Sequence, residues 1–388
     1  PSNGDGDFTF TREGASGQPN STRVNKAGLI EEVNSNVPRL DYSDGSCPSL
    51  LLEKQSTNLV TYSSDFSNSY WGKNNVTVTP NTTTSPDGGL TADKVLNSTG
   101  NNHLNHSFVV TNGINYTYSI YVKRIDEDVY KLSIFNSGYT EYLNVSFNMV
   151  TETITVADNV TGTSYIGSNI ESLSNEWFRI DVTFNSFDTT LRIRNYIGES
   201  TGTNGASIYY WGAQLEESSI SSSYIPTNGA IATRLVDKCT DAGNEQVISS
   251  TESTFFVDAV NFSPPLNDYN MITLSDGNTN FVRFLYETTR IRTSVVSLGS
   301  SQQDYFITGD NANKRNKVAI TFKNNEFKVY HNGVLKDTDT NGNVPANLDR
   351  LNFANQNGTY RHFEGKVYDT RVYDRVLTEA EAIALTQV

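Results

Sequence analysis

The sequence predicts an all-β protein: two antiparallel β-sandwich domains, an irregular N-terminal leader before them and a short C-terminal helix after them. Three observations predict this. Apolar and polar residues alternate with a period of two over most of the chain, and the apolar set is rich in Val, Ile, Tyr and Phe. The segments between these runs are short and built from Asn, Ser, Thr and Gly, the residues of polar turns. Helix signals are almost absent until the last residues. A chain of 388 residues exceeds one ordinary domain, and 36% hydrophobic with 11% aromatic residues supplies apolar cores.

The first strand-rich block begins near Val76, with "VTVTP", "HSFVV", "YTYSIYVKR" (Tyr116–Arg124) and "YKLSIFN" (Tyr130–Asn136). "YLNVSFNM", "TITVADN", "WFRIDVTF", "TLRIRNYIG" and "SIYYWGAQLEE" continue it. Alternation of this kind suits half-buried strands, and the regular turn spacing suits a sandwich. A weakly periodic Ser-, Gly- and Pro-bearing stretch follows, which places a domain boundary near Asp241. A second block then runs from "STFFVDAVNF" to "HFEGKVYDTRVYDRVL". It contains two hairpins, at "KNNEF" and "YHNGVL". Asn332-Gly333 suits a type I′ turn, whose two central residues both need positive φ. Thr378 and Glu381 have the spacing of a capping box, so a helix is expected to start there. The resulting division is a leader over 1–63, a first sandwich over 64–240 and a second over 241–388.

Composition excludes several classes of function. The formal net charge is −14, without the clustered Lys and Arg that neutralise nucleic-acid phosphates. An acidic surface also repels anionic membranes, and no apolar run is long enough for a membrane helix. The two cysteines, Cys47 and Cys239, are too few for a disulfide scaffold, and their pairing is left open by the sequence. The opening "PSNGDGDF" reads as the interior of a longer chain.

Two stretches resemble known families. "VAITFKNNEFKVYHNGVLKD" and "FEGKVYDTRVYDRVLTEAEAIAL" resemble a laminin-G or concanavalin-type jelly roll over roughly Ser250 to Val388, carried at the close by Phe363, Gly365, Val367, Asp369, Arg371, Val372, Tyr373, Arg375 and Leu377. "STRVNKAGLIEEV", "LLLEKQSTNL" and "WGAQLEESSISSSYIPTNGAIATR" resemble a module of tailed-phage structural proteins, covering about Phe8 to Arg234. That resemblance implies a carbohydrate-binding-module-like sandwich. It also implies a leader that drapes along it, docking through Leu29, Ile30, Leu40, Leu50, Leu51 and Leu52, with "LLLE" beside "SYIPT".

No catalytic constellation is expected. The four histidines, His103, His106, His331 and His362, sit in no metal motif, and neither GxSxG nor HExxH occurs. "IDEDV" (Ile125–Val129) is the densest acidic group and reads as a turn between strands. The E-x-D-x-x-E run of concanavalin-type glucanases is missing. Among the tryptophans, Trp177 and Trp211 read as core. Trp71, near the start of the sandwich, is a candidate stacking ring for a sugar. In "GTYRHF", Tyr360, Arg361 and His362 form the second candidate, a ring with hydrogen-bond donors. No cofactor is required; "NGDGD" (Asn3–Asp7) and "SDGNTN" (Ser275–Asn280) are possible loops for structural calcium. These readings converge on a bacteriophage virion surface protein, a tail or head fibre or appendage, that binds host-surface polysaccharide without cleaving it. It would be a trimer or repeated array among other virion proteins. A binding module of a secreted polysaccharide-degrading enzyme, an architectural capsid decoration and a glycan-cleaving enzyme are the alternatives, in that order.

Overall fold

The computed structural model describes residues 7–12, 21–199, 202–244, 246–262, 270–309 and 314–388. Every long pairing among them is antiparallel, and the one α-helix among them is Glu379–Thr386. The chain forms two compact units, one of 14–34 with 56–234 and one of 1–13, 35–55 and 235–388.

The first sandwich has two six-stranded sheets. One runs Thr153–Asp158, Tyr142–Asn148, Val129–Phe135, Thr190–Ile197, His103–Val109 and Gly72–Asn74. The other runs Tyr165–Ser172, Trp177–Asn185, Asn115–Arg124, Ser207–Glu216, Ala92–Asn97 and Val76–Thr83. Alternate residues such as Leu132, Ile134, Leu191 and Ile193 meet Tyr118, Ile120, Val182 and Tyr210 in one core. Burying such side chains, at ~2 kcal/mol each, is the main favourable term in folding this unit.

The second sandwich pairs a seven-stranded with a five-stranded sheet. The five run Ser300–Thr308, Arg290–Ser297, Phe281–Tyr286, Asn270–Ser275 and Arg350–Asn352. Asn332 and Gly333 both have positive φ, as the hairpin requires. The helix is capped as expected: the Thr378 side chain accepts from the Glu381 amide, and Glu381 reaches back to the Thr378 amide. Its Ala382 packs with Phe256, Ala319 and Tyr330.

The leader differs from expectation, because it is divided between the units. Thr22–Val24 and Ile30–Glu32 form a hairpin in the first sandwich, where Thr22 Oγ1 donates to the Tyr224 carbonyl at 2.6 Å. Arg39–Asp41 and Ser49–Leu52 instead extend the seven-stranded sheet, with Leu50, Leu51 and Leu52 opposite Val367, Lys366 and Gly365. Leu50–Leu52 therefore belong to the second sandwich, and "LLLE" and "SYIPT" fall in different units. The reason is an unpaired edge: the strand Gly365–Tyr373 offers backbone donors and acceptors that a short apolar strand satisfies. Leu40 stands opposite Leu50 in that strand pair and is 43% exposed. The division between units falls at Arg234 and Leu235.

The motif residues hold these joins. In the first sandwich Asn58 is fully buried; its amide donates to the Ala213 and Ile225 carbonyls, and its Oδ1 accepts from the Val60 and Leu215 amides. In the second, buried Arg39 pairs with Glu53 at 2.6 Å and with Asp237, which also takes Arg12 at 2.8 Å. Burial works against the Arg39 charge, but Glu53 and Asp237 outweigh it and hold the guanidinium above its usual range. Cys47 is exposed and Cys239 buried, and both are free thiols.

Candidate functional site

The sequence candidates separate once the fold is in place. Trp71 is not a surface ring. It is 1% exposed, donates from Nε1 to the Tyr62 carbonyl at 3.0 Å and packs 5.0 Å from Phe66. Its strand-start position put it against the core, because the apolar ring outweighs the polar run "SNSY" before it. Trp177 and Trp211 are core as expected, with their indoles bonded to Thr84 and Thr91.

The loop of the second candidate does present a ring. Tyr360 is 48% exposed, with the Arg361 guanidinium 5.3 Å from its centroid. Buried Asn355 shapes the loop by accepting the Thr359 and Tyr360 amides on Oδ1. Arg361 has φ 58°, a left-handed conformation that a long side chain adopts only under constraint. His362 is half-buried and held below its usual range by burial and then by Lys238. Tyr360, Arg361 and His362 thus share one loop, with the Tyr360 ring exposed.

Of the other histidines, His103 and His331 are pushed down to about 4, each first by burial. His106 stacks on Tyr70 at 3.7 Å. In "IDEDV", Asp126 accepts the Ser207 amide and hydroxyl, and Asp128 pairs with Arg124, so the group is a bonded turn. "NGDGD" lies outside the described residues except for Asp7. In "SDGNTN", the Asp276 carboxylate is taken up by the Asn278 and Asn280 amides and the Asn280 side chain. Among the described residues no three His, Cys, Asp or Glu side chains gather as a metal site.

Two features of the first sandwich were not singled out by sequence. One is an acidic cavity of about 830 Å³ beside Glu31, Glu32, Asp65, Asp87, Asp93, Trp211 and Tyr224. Most of these carboxylates brace loops: Asp93 accepts the Phe66 and Asn81 amides, and Asp87 accepts from Ser85 and Gly89. Glu32 is raised by burial and by Asp87.

The other is the outer face of the sheet that contains Thr190–Ile197. Arg192 and Arg194 alternate there with core residues Leu191, Ile193 and Asn195. Their cross-strand neighbours are Phe135 and Ser107 for Arg192, and Ser133 and Asn105 for Arg194. Tyr139, 44% exposed and at φ 57°, leans over both guanidinium groups from the adjoining turn. The alternation in "TLRIRNYIG" puts both arginines outward, but only the fold shows what surrounds them.

Residues 260–383 match the model of the concanavalin A-like lectin/glucanases superfamily in its laminin G form. No curated protein matches the chain. Among solved structures, the chain is similar to the Ruminococcus gnavus IT-sialidase CBM40 bound to α2,3-sialyllactose, at 15% identity and TM-score 0.30, covering 36% of this chain and 84% of that one. Mouse laminin α1 domains LG4-5 align at 8% identity and TM-score 0.27, over 83% of this chain and 93% of that one. Sheep galectin-11 aligns at 14% identity and TM-score 0.22, over 34% and 89%. No helix among the described residues is long and apolar enough to cross a membrane.

Proposed function

We propose that this chain is a glycan-binding adhesin that acts by non-covalent contact, as a tail or head fibre or other appendage on a phage particle. One observation carries the binding reading. Each sandwich presents an exposed tyrosine beside an arginine, Tyr139 with Arg192 and Arg194 in the first and Tyr360 with Arg361 in the second. A sugar ring has an apolar face for stacking and hydroxyls for donors, and such pairs meet both. The lectin-like match over 260–383 agrees with it. The virion setting rests on the resemblance of "LLLEKQSTNL" and "WGAQLEESSISSSYIPT" to tailed-phage modules. Weak single sites then gain strength by repetition, in a trimer or array held among other virion proteins.

The test is a glycan array and host-cell binding with the full chain, together with an assay for reducing ends. Binding without release of reducing ends is expected. A second reading follows from the acidic cavity: if reducing ends appear and Glu32→Gln abolishes them, the chain is a glycan-cleaving enzyme. Absence of binding to any glycan leaves an architectural role.

A further inference from the structure

We propose that the outer face of the first sandwich takes a carboxylate-bearing sugar of an acidic polysaccharide, with Arg192 and Arg194 as donors to the carboxylate and Tyr139 as the stacking ring. This rests on the glycan-binding reading and narrows it to a substrate class.

The two arginines stand two residues apart on one strand, so they project from the same face. Their planes are held by rings. Arg194 lies 4.6 Å from the Phe135 centroid and 5.0 Å from Tyr139, and Arg192 lies 5.4 Å from Tyr139. Stacking occupies the faces of a guanidinium and leaves its edge for hydrogen bonds. Little of that edge is used. Arg192 donates from Nε to Ser107 Oγ at 3.0 Å, and Arg194 from Nη1 to the Tyr196 hydroxyl at 3.3 Å. Arg194 Nε is buried without an acceptor, so the donors that Arg194 can offer a ligand are its Nη groups.

No carboxylate answers these charges: among the described residues neither arginine forms an ion pair. The nearby acids are committed elsewhere. Asp188 accepts the Ser137 amide and hydroxyl, Glu141 accepts the Thr161 amide, and Glu199 pairs with Lys131 at 3.2 Å. His103, buried beside the pair, feels both positive charges after its own burial. In a chain of net charge −14, two uncompensated cations on an aromatic patch are a complementary surface for an anion. A planar carboxylate is the group that matches two pre-aligned guanidinium edges, and an adjoining sugar ring accounts for the exposed Tyr139.

The second sandwich contains the closed form of the same device. Arg290 and Arg292 stack on Phe306 at 3.9 and 5.2 Å. There Asp304 takes Arg292 through two hydrogen bonds of 2.6 and 2.5 Å, and Glu287 takes Arg290. That pattern is structural, and its acids are what the first face lacks.

The test is calorimetry of the full chain with polygalacturonate and with a polysialate, each beside its carboxyl-reduced neutral form, at physiological salt. Binding to at least one acidic polymer is expected, with loss on carboxyl reduction. Arg192→Gln is expected to weaken that binding about tenfold, with the melting temperature unchanged. Arg192→Lys keeps the charge and loses the fork, so it is expected to bind nearly as poorly. Tyr139→Ala, which leaves both arginines in place, is expected to weaken it as well. Equal binding of acidic and reduced polymers, or wild-type binding by Arg192→Gln, overturns the carboxylate proposal and leaves the adhesin reading standing. Binding to no glycan at all overturns both.

Discussion

The two sandwiches stack arginine on aromatic rings in the same way and differ in what meets the guanidinium edge. In the second, Asp304 and Glu287 close the edges of Arg292 and Arg290. In the first, Arg192 and Arg194 meet a serine and a tyrosine hydroxyl. A ring contact alone therefore says little about function, because the same contact supports a finished surface in one unit and an unfinished one in the other. The neutralising acid is the informative residue.

The comparison extends to the interior, where the largest effect is expected. Arg39 is a guanidinium whose charge is fully answered and fully buried. Asp237→Ala removes one partner and leaves that charge exposed to a low-dielectric interior, at a cost of about 3–5 kcal/mol. Denaturant unfolding of the second sandwich measures it. A loss below about 1 kcal/mol would mean that water reaches Arg39 and the network is not closed.

Acid should act on both sandwiches. His103 in the first and His331 in the second have values lowered to about 4 from 6.5, so the fold favours their neutral forms. Their contribution is complete above about pH 6.5 and is lost as pH falls through about 4. Melting curves between those limits should shift downward for both units. Replacing His331 by Gln, which keeps a partner for Asn316 Oδ1, should flatten the response of the second sandwich alone.

Tyr360→Ala tests the exposed ring of the second sandwich, with a severalfold loss of glycan binding and a stability change within about 0.5 kcal/mol. An unchanged glycan affinity would confine binding to the first sandwich. The smallest stability effect belongs to Asp304→Asn, which removes one of the two acids on Arg292, leaving Glu287 at 3.9 Å, for less than about 1 kcal/mol, since the pair is part-exposed. If a less neutralised guanidinium over a ring is what attracts acidic sugars, this variant gains affinity for polygalacturonate. Unchanged affinity would show that Glu287 still answers the charge.

The strands of both sandwiches were legible because each buries one face, so its period appears in the residues themselves. The helix cap at Thr378 and the hairpin at Asn332-Gly333 were legible for the same local reason. The exposure of Tyr360 was legible because the stretch before it, "NQNGT", is polar. Trp71 was misplaced, since whether a ring near a strand start turns inward depends on Phe66 and Tyr62, which the fold brings to it. The Arg192 face was missed because its ring, Tyr139, lies more than fifty residues away in the chain and arrives through the neighbouring strand.

By itself, then, the sequence determined the antiparallel architecture, the turns and the outward side of each strand. These follow from backbone geometry and from alternation, which act over a few residues. Only the tertiary structure decided which sandwich received Leu50–Leu52, which acids answer which arginines, and which guanidinium edges stay open. Those outcomes depend on which strands lie side by side, and alternation assigns a residue to a face without naming its neighbours across it.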